Sequence, residues 1–451
     1  MIHMGQHAIS KYNQAVPRYT SYPTVPFWNS SEFSPEIARK RFVEAINEEK
    51  HIFLYIHLPF CESLCTYCGC NKRITKNHGY ERPYIEAVLK EWEMYRGLIP
   101  NDTTISGIHL GGGTPTFFSP ENLRFLIEGL FIQPHLPAGE WYSFEGHPGN
   151  TTTAHLQTLF NMGFRRVSYG IQDMDETVQR AINRLQTREE VQQATDKARE
   201  IGYSSVNFDL IYGLPFQTAE RLKRTIQETI ELKPDRIAFY SYAHVPWVSK
   251  SQRAYSEKDL PIPDEKWALY QMGKEMLIAA GYRDVGMDHF ALNGDSLFKA
   301  REGRELHRNF MGYTHNREKL LLGLGVSSIS DVGRAYWQNV KSLEGYLDHI
   351  QAGLWPLFKG HLHTESDLIR KSHILNLACH FETQISESEF DELELSALNS
   401  SIQMLIDEGI FIREGSRLLF TPKGRDLLRM GCAAFDAYLP QESEGIFSKA
   451  I

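Results

Sequence analysis

Cysteine is scarce in this chain: six residues in 451. A framework of disulfides is therefore not what holds it together, and a small secreted scaffold is excluded. Basic excess is absent as well. A net charge of −8 and a pI near 6.2 argue against a general nucleic-acid binder and against a polybasic membrane-surface protein. No apolar run approaches the roughly 18 residues that a membrane helix needs. The first ten residues, MIHMGQHAIS, lack a basic stretch followed by an apolar one, so no secretory leader is expected. Internal repeats and low-complexity tracts are missing too. What is left is an ordinary globular composition, 42% hydrophobic and 23% charged, expected in the reducing cytoplasm.

The few cysteines are not scattered. Four fall in the string Cys61-E-S-L-Cys65-T-Y-Cys68-G-Cys70, while Cys379 and Cys432 stand alone and read as small buried hydrophobes. Cys61, Cys65 and Cys68 have C-x₃-C-x₂-C spacing. Iron–sulfur clusters commonly take one thiolate per iron from four cysteines. Three thiolates leave one iron of a [4Fe–4S] cluster open, and an open position is where a metal centre does chemistry. The alternative is a zinc knot, which would usually pair two C-x-x-C units far apart in the chain.

The central region alternates short β-rich runs with segments of helical period, the pattern of βα units on a parallel sheet. Strands are expected at Phe53–His57, Ile105–Leu110, Tyr142–Glu145, Arg166–Gly170, Val206–Tyr212, Arg236–Tyr242 and Asp284–Met287. Helices are expected at Pro35–Glu49, Arg82–Tyr95 and Asp264–Ala280, with Ser119 and Thr218 as helix caps. Parallel α/β barrels carry function at the C-terminal ends of their strands, where the motifs below fall. After about residue 360 the pattern becomes mostly helical. Helix Leu398–Glu408, a hairpin turning at Gly415 and helix Pro422–Tyr438 resemble a small winged helix. Residues 361–451 hold 15 Asp and Glu against 8 Lys and Arg, so a cap on the barrel is favoured over a phosphate-binding face.

The cysteine loop leaves the first strand. The second strand runs into Gly111-G-G-T-P-T, whose glycines allow close backbone approach and offer unencumbered N–H groups. No G-K-[ST] follows, so this is no phosphate loop. Glu145 ends the third strand, where its carboxylate could accept ribose hydroxyls or cap the helix from Thr151. Gln172 and Asp173 end the fourth strand and Asp209 lies in the fifth, each open to a structural reading as loop support. Arg184 has solvent-exposed helix charge as its ordinary explanation. Pro17-R-Y-T-S-Y-P, Gly286-M-D-H-F and Leu306-H-R-N-F-M-G-Y combine Arg18 and Arg308 with aromatics. That suits a flat, carboxylate-bearing ligand, or aromatic core packing.

Taken together, P-R-Y-T-S-Y-P, Y-I-H-L-P-F-C-x₃-C-x-Y-C-G-C-N-K and H-R-N-F-x-G-Y resemble the oxygen-independent coproporphyrinogen III oxidases, radical S-adenosylmethionine enzymes. The resemblance runs from about residue 17 to the C-terminus. It implies a partly open parallel (β/α) barrel at residues 51–359. An N-terminal substrate-covering segment, 1–50, would precede it and a mainly helical C-terminal domain, 360–451, would follow. It implies a [4Fe–4S] cluster on Cys61, Cys65 and Cys68, with Cys70 not a ligand. It also implies two S-adenosylmethionine molecules, one at Tyr55, Gly112, Glu145 and Ile329. The other would lie at Tyr67, Gly113, Thr114, Gln172, Arg184, Asp209 and Ala243. Three departures stand out: Tyr67 where phenylalanine is expected, Gly146-H-P after the glutamate, and Met311 where glutamine is common.

The implied activity is conversion of two propionates of coproporphyrinogen III to vinyl groups by 5′-deoxyadenosyl radical chemistry. A low-potential electron donor, a monomeric state and no nucleic-acid or membrane partner are expected with it. His57, beside the cluster strand, is a candidate for tuning the cluster or assisting electron transfer, or a satisfied structural histidine. Rival readings are a radical haem-degrading methyltransferase and a haem chaperone. The chaperones generally lack both the C-G-C-N-K ending and P-R-Y-T-S-Y-P.

Overall fold

Alternation along the central strands decides how this chain folds. In β1 (His51–Leu58), Ile52, Leu54, Ile56 and Leu58 are at most 1% exposed, while Tyr55 and His57 take the other parity. Successive strand residues point to opposite faces, so one face is apolar and packs on helices while the other is free to be polar. Five more strands follow this rule: β2 (Thr104–Gly112), β3 (Tyr142–Gly146), β4 (Arg166–Gln172), β5 (Ser205–Tyr212) and β6 (Arg236–Ser241). They pair in parallel in that order after β1. Their apolar parity includes Ile108, Leu110, Phe144, Val167, Val206, Phe208 and Phe239, all within one continuous core. Burying each such side chain stabilises the fold by roughly 1.5–3 kcal/mol.

The computed structural model describes residues 12–131, 141–315, 320–439 and 447–449. Residues 1–10, read above for a leader, lie outside these. Among the described residues no helix is long and apolar enough to cross a membrane. Ser119 Oγ accepts the Asn122 N–H and Thr218 Oγ1 that of Arg221, both at 3.3 Å, so both expected caps form.

Two expectations change at the edges of the sheet. The seventh strand, β7 (Arg283–Gly286), is not a further parallel member. It turns at once into β8 (His289–Ala291), which is antiparallel to both β7 and β6. A hairpin this tight can join only antiparallel strands; a parallel pair needs a long crossover. The additional parallel neighbour is instead β9 (Leu321–Leu324), on the far side of β1. Antiparallel strands β10 (Ile329–Asp331), β11 (Ala335–Asn339) and β12 (Leu357–Leu362) extend it. Among the described residues the sheet has twelve strands in linear order from β12 to β7, so the barrel is partly open.

The C-terminal helix runs Glu392–Asp407, lengthened at its start by an Asp391–Glu394 capping box, and its hairpin turns at Gly415. The helix expected over Pro422–Tyr438 shrinks to a 3₁₀ turn, Gly424–Leu427, and a short α-helix, Leu428–Ala433. Gly424 lies so close to the Ile410 carbonyl that a Cβ would sit 2.1 Å from it, and this contact pins the chain. A second apolar core joins this region to Tyr19, Tyr22, Val285, Leu306 and Tyr313, so the module packs on the β7–β8 edge and the N-terminal segment.

Candidate active site

The cysteine loop emerges from the C-terminal end of β1. Cys61, Cys65 and Cys68 are free and half-buried, and Cys70 is exposed. Cys61 Sγ lies 3.4 Å from Thr114 Oγ1, and Arg184 Nη1 lies 3.7 Å from Cys65 Sγ. Lys72 folds back over the loop, with Nζ 3.1 Å from the Cys68 carbonyl and 3.4 Å from that of Cys70. Burial pushes the Cys61 thiol up to about 11. The Cys68 thiol is pulled down to about 6, chiefly by its hydrogen bond with Cys70, with Lys72 and Arg184 adding to it.

The motif Asn71-Lys72 acquires a structural reason here. His57 Nε2 lies 2.9 Å from the Asn71 carbonyl and Nδ1 lies 3.1 Å from the Tyr55 hydroxyl. A carbonyl only accepts, so Nε2 carries the proton and Nδ1 accepts from Tyr55. Both ring nitrogens are thus engaged, and burial holds the imidazole below its ordinary pKa, hence neutral. His57 thus ties β1 to the cysteine loop through both ring nitrogens.

Four of the expected residues gather around β1 to β3 and the neighbouring β10. Glu145 Oε2 accepts the Gly112 N–H at 3.2 Å, and Oε1 lies 3.4 Å from His109 Nε2. Burial works to raise the Glu145 pKa, but His109 and the Gly112 N–H carry it below the usual carboxylate range. It does not cap the following helix, which Thr152 and His155 cap between them. Gly112 has φ +112°, and a Cβ there would meet the His57 ring at 2.7 Å. Tyr55 pairs in register with Gly323, whose missing Cβ makes room for the backbone of Ile329.

The N–H groups of the glycine turn are not open to a ligand. Gly112 donates to Glu145, Gly113 to the Leu58 carbonyl at 2.8 Å and Thr114 to the Phe60 carbonyl at 3.0 Å. The expectation of unencumbered donors is corrected on that point.

A second group gathers around β4 to β6. Arg184 is not on an exposed helix face: it follows the helix Glu176–Ala181 and folds back so that Nε donates to the Gly170 carbonyl at 3.0 Å. A Cβ on Gly170 would meet Gln172 Nε2 at 2.7 Å and Arg184 Nη2 at 2.9 Å, so the glycine lets both side chains converge. Gly170 pairs with Asp209 on β5. Asp209 accepts from Ser168 Oγ at 3.1 Å and Asn207 Nδ2 at 2.9 Å; burial, then the charge of Glu145, push it up to about 6. Buried Gln252 donates at 3.1 Å to both the Tyr67 and the Ala243 carbonyls, linking the cysteine loop to the end of β6. Asp173 instead supports the loop, accepting from Asp175 N, Thr225 and Gln217.

Between these groups lies a cavity of about 150 Å³ whose walls include His109, Glu145, Asp209, Tyr240, His289 and Met311. Another, of about 710 Å³, opens beyond Ala243, beside Trp247, Lys266 and Ser448. Sequence reasoning missed His109, whose ring stacks on Tyr55 with centroids 5.9 Å apart, and Gln252. His109 had a signal: it shares strand parity with Gly111, as Tyr55 does with His57. Tyr19 and Tyr22 belong to the core instead of a ligand site; Tyr19 donates to Asp436 at 3.1 Å and the Tyr22 hydroxyl accepts from Ala437 N at 3.0 Å.

Residues 55–229 match the model of the radical SAM superfamily. The oxygen-independent coproporphyrinogen III oxidase of Pseudomonas aeruginosa is 38% identical over 98% of this chain and 98% of its own length. That of Synechocystis sp. is 37% identical over 100% and 98%, and that of Escherichia coli 37% over 96% and 95%. Among solved structures, coproporphyrinogen III oxidase from Escherichia coli, described as a radical SAM enzyme, aligns with a TM-score of 0.88. That match has 36% identity and covers 97% of this chain and 99% of the other. With this fold, this cysteine loop and this similarity over nearly its whole length, the chain belongs to the oxygen-independent coproporphyrinogen III oxidase family of radical SAM enzymes.

Proposed function

We propose that this protein carries out the oxygen-independent oxidative decarboxylation of two propionates of coproporphyrinogen III, giving protoporphyrinogen IX. The observation that carries this is the convergence of three free thiols, Arg184 and the Glu145–Gly112 pair at one end of the parallel sheet. The donor set fits a [4Fe–4S] cluster on Cys61, Cys65 and Cys68: thiols in one loop, with Lys72 and Arg184 beside them to offset thiolate charge. When bound, the cluster and S-adenosylmethionine supply one-electron chemistry that removes hydrogen from an unactivated carbon.

The chain's own residues bind, orient and exclude water. Glu145, ionised, is placed to accept ribose hydroxyls. An ammonium only donates, so the committed N–H groups of the glycine turn leave its carbonyl oxygens as the partners for an amino group. Tyr67, Gln172, Arg184, Asp209 and Ala243, with Gly113 and Thr114, form the place for a second S-adenosylmethionine. The three parts 1–50, 51–359 and 360–451, a monomeric state, a cytoplasmic setting and a low-potential electron donor complete the reading. No feature of the site favours a haem-degrading methyltransferase or a haem chaperone.

The test is an anaerobic reaction of reconstituted protein with dithionite, S-adenosylmethionine and coproporphyrinogen III, with and without an added electron acceptor. Protoporphyrinogen with about two 5′-deoxyadenosines per product, both absent for Cys65→Ala, is the expected result. Deoxyadenosine without decarboxylated porphyrin under every acceptor condition would move the substrate elsewhere.

A further inference from the structure

Arg308 is a buried charge with most of its donors unused. It lies in the short hairpin of His307–Asn309 and Gly312–Thr314, is 5% exposed, and sets its guanidinium 4.6 Å from the centre of the Tyr313 ring. Its Nε and Nη1 find no hydrogen-bond partner among the described residues. Nη2 donates to the Arg18 carbonyl at 3.2 Å and toward the Met287 thioether sulfur, a weak acceptor, at 3.4 Å. The neighbouring carboxylate, Asp288, is already engaged: His289 Nδ1 lies 2.6 Å from its Oδ1 and Arg18 Nη1 lies 3.8 Å from Oδ2.

Burying a guanidinium is costly unless its donors are met, and a fold that keeps one in this condition is arranged for an incoming partner. The partner's chemistry follows from the group. Nε with Nη2 along one edge, or Nη1 with Nη2 across the end, presents two parallel N–H bonds once an Nη2 contact is exchanged. That fork matches a carboxylate. Arg18 adds a second positive charge, half-exposed and 5.7 Å from the Tyr240 ring centre. Tyr240 and Tyr313, the rings beside which the two arginines lie, also line the cavity that holds Glu145 and Asp209.

We propose that Arg308, with Arg18 beside it, anchors a carboxylate of the substrate: a propionate other than the one reacting. This rests on the function proposed above. The cysteine loop and Glu145 belong to the β1 to β3 side, whereas Arg18 bonds the Ser241 carbonyl at the end of β6. A carboxylate held at the arginines therefore leaves another side chain of the same macrocycle to reach the reacting end. Coproporphyrinogen III carries four propionates and two are converted, so a fixed anchor helps present one at a time.

The test is equilibrium binding of coproporphyrin III, the unreactive oxidised macrocycle, to cluster-reconstituted full-length protein, followed by fluorescence. Coproporphyrin III tetramethyl ester, which lacks the charges, is the comparison. Arg308→Gln should weaken binding of the free acid by roughly thirty-fold or more, the scale for truncating one partner of a buried charge pair. Ester binding should be unchanged, and Arg308→Lys should recover only part of the loss because it keeps the charge without the fork. Equal binding of the free acid by Arg308→Gln and the parent, or a loss shared equally by acid and ester, would overturn the anchor. Failure of the parent itself to bind coproporphyrin III would count against the substrate reading as well.

Discussion

Glu145 Oε2 accepts the Gly112 N–H at 3.2 Å, joining two motifs 33 residues apart in the chain. The bond spans the ends of neighbouring parallel strands and fixes the carboxylate over the glycine turn, where His109 helps keep it ionised. Contacts of this kind, between residues far apart in the chain, hold the polar groups of the site in place.

Glu145→Gln keeps the shape of the side chain and removes its charge. Hydrogen bonds to charged groups contribute about 1.5–3 kcal/mol, so S-adenosylmethionine affinity should fall roughly ten-fold or more. Equilibrium dialysis on protein of unchanged iron content checks this, and unaltered affinity would take Glu145 out of the ribose site.

Cysteine replacement separates ligands from a bystander. Cys61→Ala, Cys65→Ala and Cys68→Ala should each lose iron on anaerobic reconstitution. Cys70→Ala should retain it, since Cys70 falls outside the C-x₃-C-x₂-C spacing and meets the set only through its hydrogen bond with Cys68. Iron and sulfide analysis with electron paramagnetic resonance of the reduced protein is the readout; a Cys70 variant without a cluster would redraw the ligand set.

Arg184 holds the Gly170 carbonyl and reaches Cys65, at the centre of the group proposed for a second S-adenosylmethionine. The parent protein should bind two equivalents and Arg184→Ala one, measured by dialysis at saturating ligand. A single equivalent in the parent would remove the second molecule.

Asp367 closes the capping box of the helix Glu365–His380 by accepting the N–H of the cap residue Thr364, and it also meets His361 Nε2 at 3.2 Å and the Tyr438 hydroxyl at 2.9 Å. Burial opposes its ionisation, but these bonds with the Thr364 N–H hold its carboxyl at about 2. Its folded pKa is depressed, so its contribution is fully present above the unfolded value near 3.9 and is lost as pH falls through about 2. Asp367→Asn should cost about 2 kcal/mol at pH 7 and progressively less below pH 4. Denaturant unfolding at pH 7 and pH 3 checks the trend; a constant difference would mean the carboxylate charge is not what matters.

Much of the layout could be read along the chain because βα units leave local marks. Strand runs with helices between them located β1 to β6 within two residues at each end, and Ser119 and Thr218 announced helix starts that formed. The edges were less legible. Asp284–Met287 has strand composition, but its direction depends on the tight turn into His289, and β9 is a short apolar run whose parallel partner lies some 270 residues upstream. The helix expected at Pro422–Tyr438 forms only over Gly424–Ala433, beginning where Gly424 packs on Ile410, a contact no local pattern encodes.

By itself the sequence determined the class of chemistry. Cysteine spacing within one loop is a local property, and so is the parity that places Tyr55 with His57 and Glu145 at a strand end. Only the tertiary structure decided what each polar group does once placed. It spent the glycine-turn N–H groups inside the protein, made His57 a tie between strand and loop, and turned Arg184 from the surface onto Gly170. It also left Arg308 buried with donors to spare. Hydrogen-bond partners lie across strands and loops far apart in the chain, so who satisfies whom is settled only when the sheet assembles.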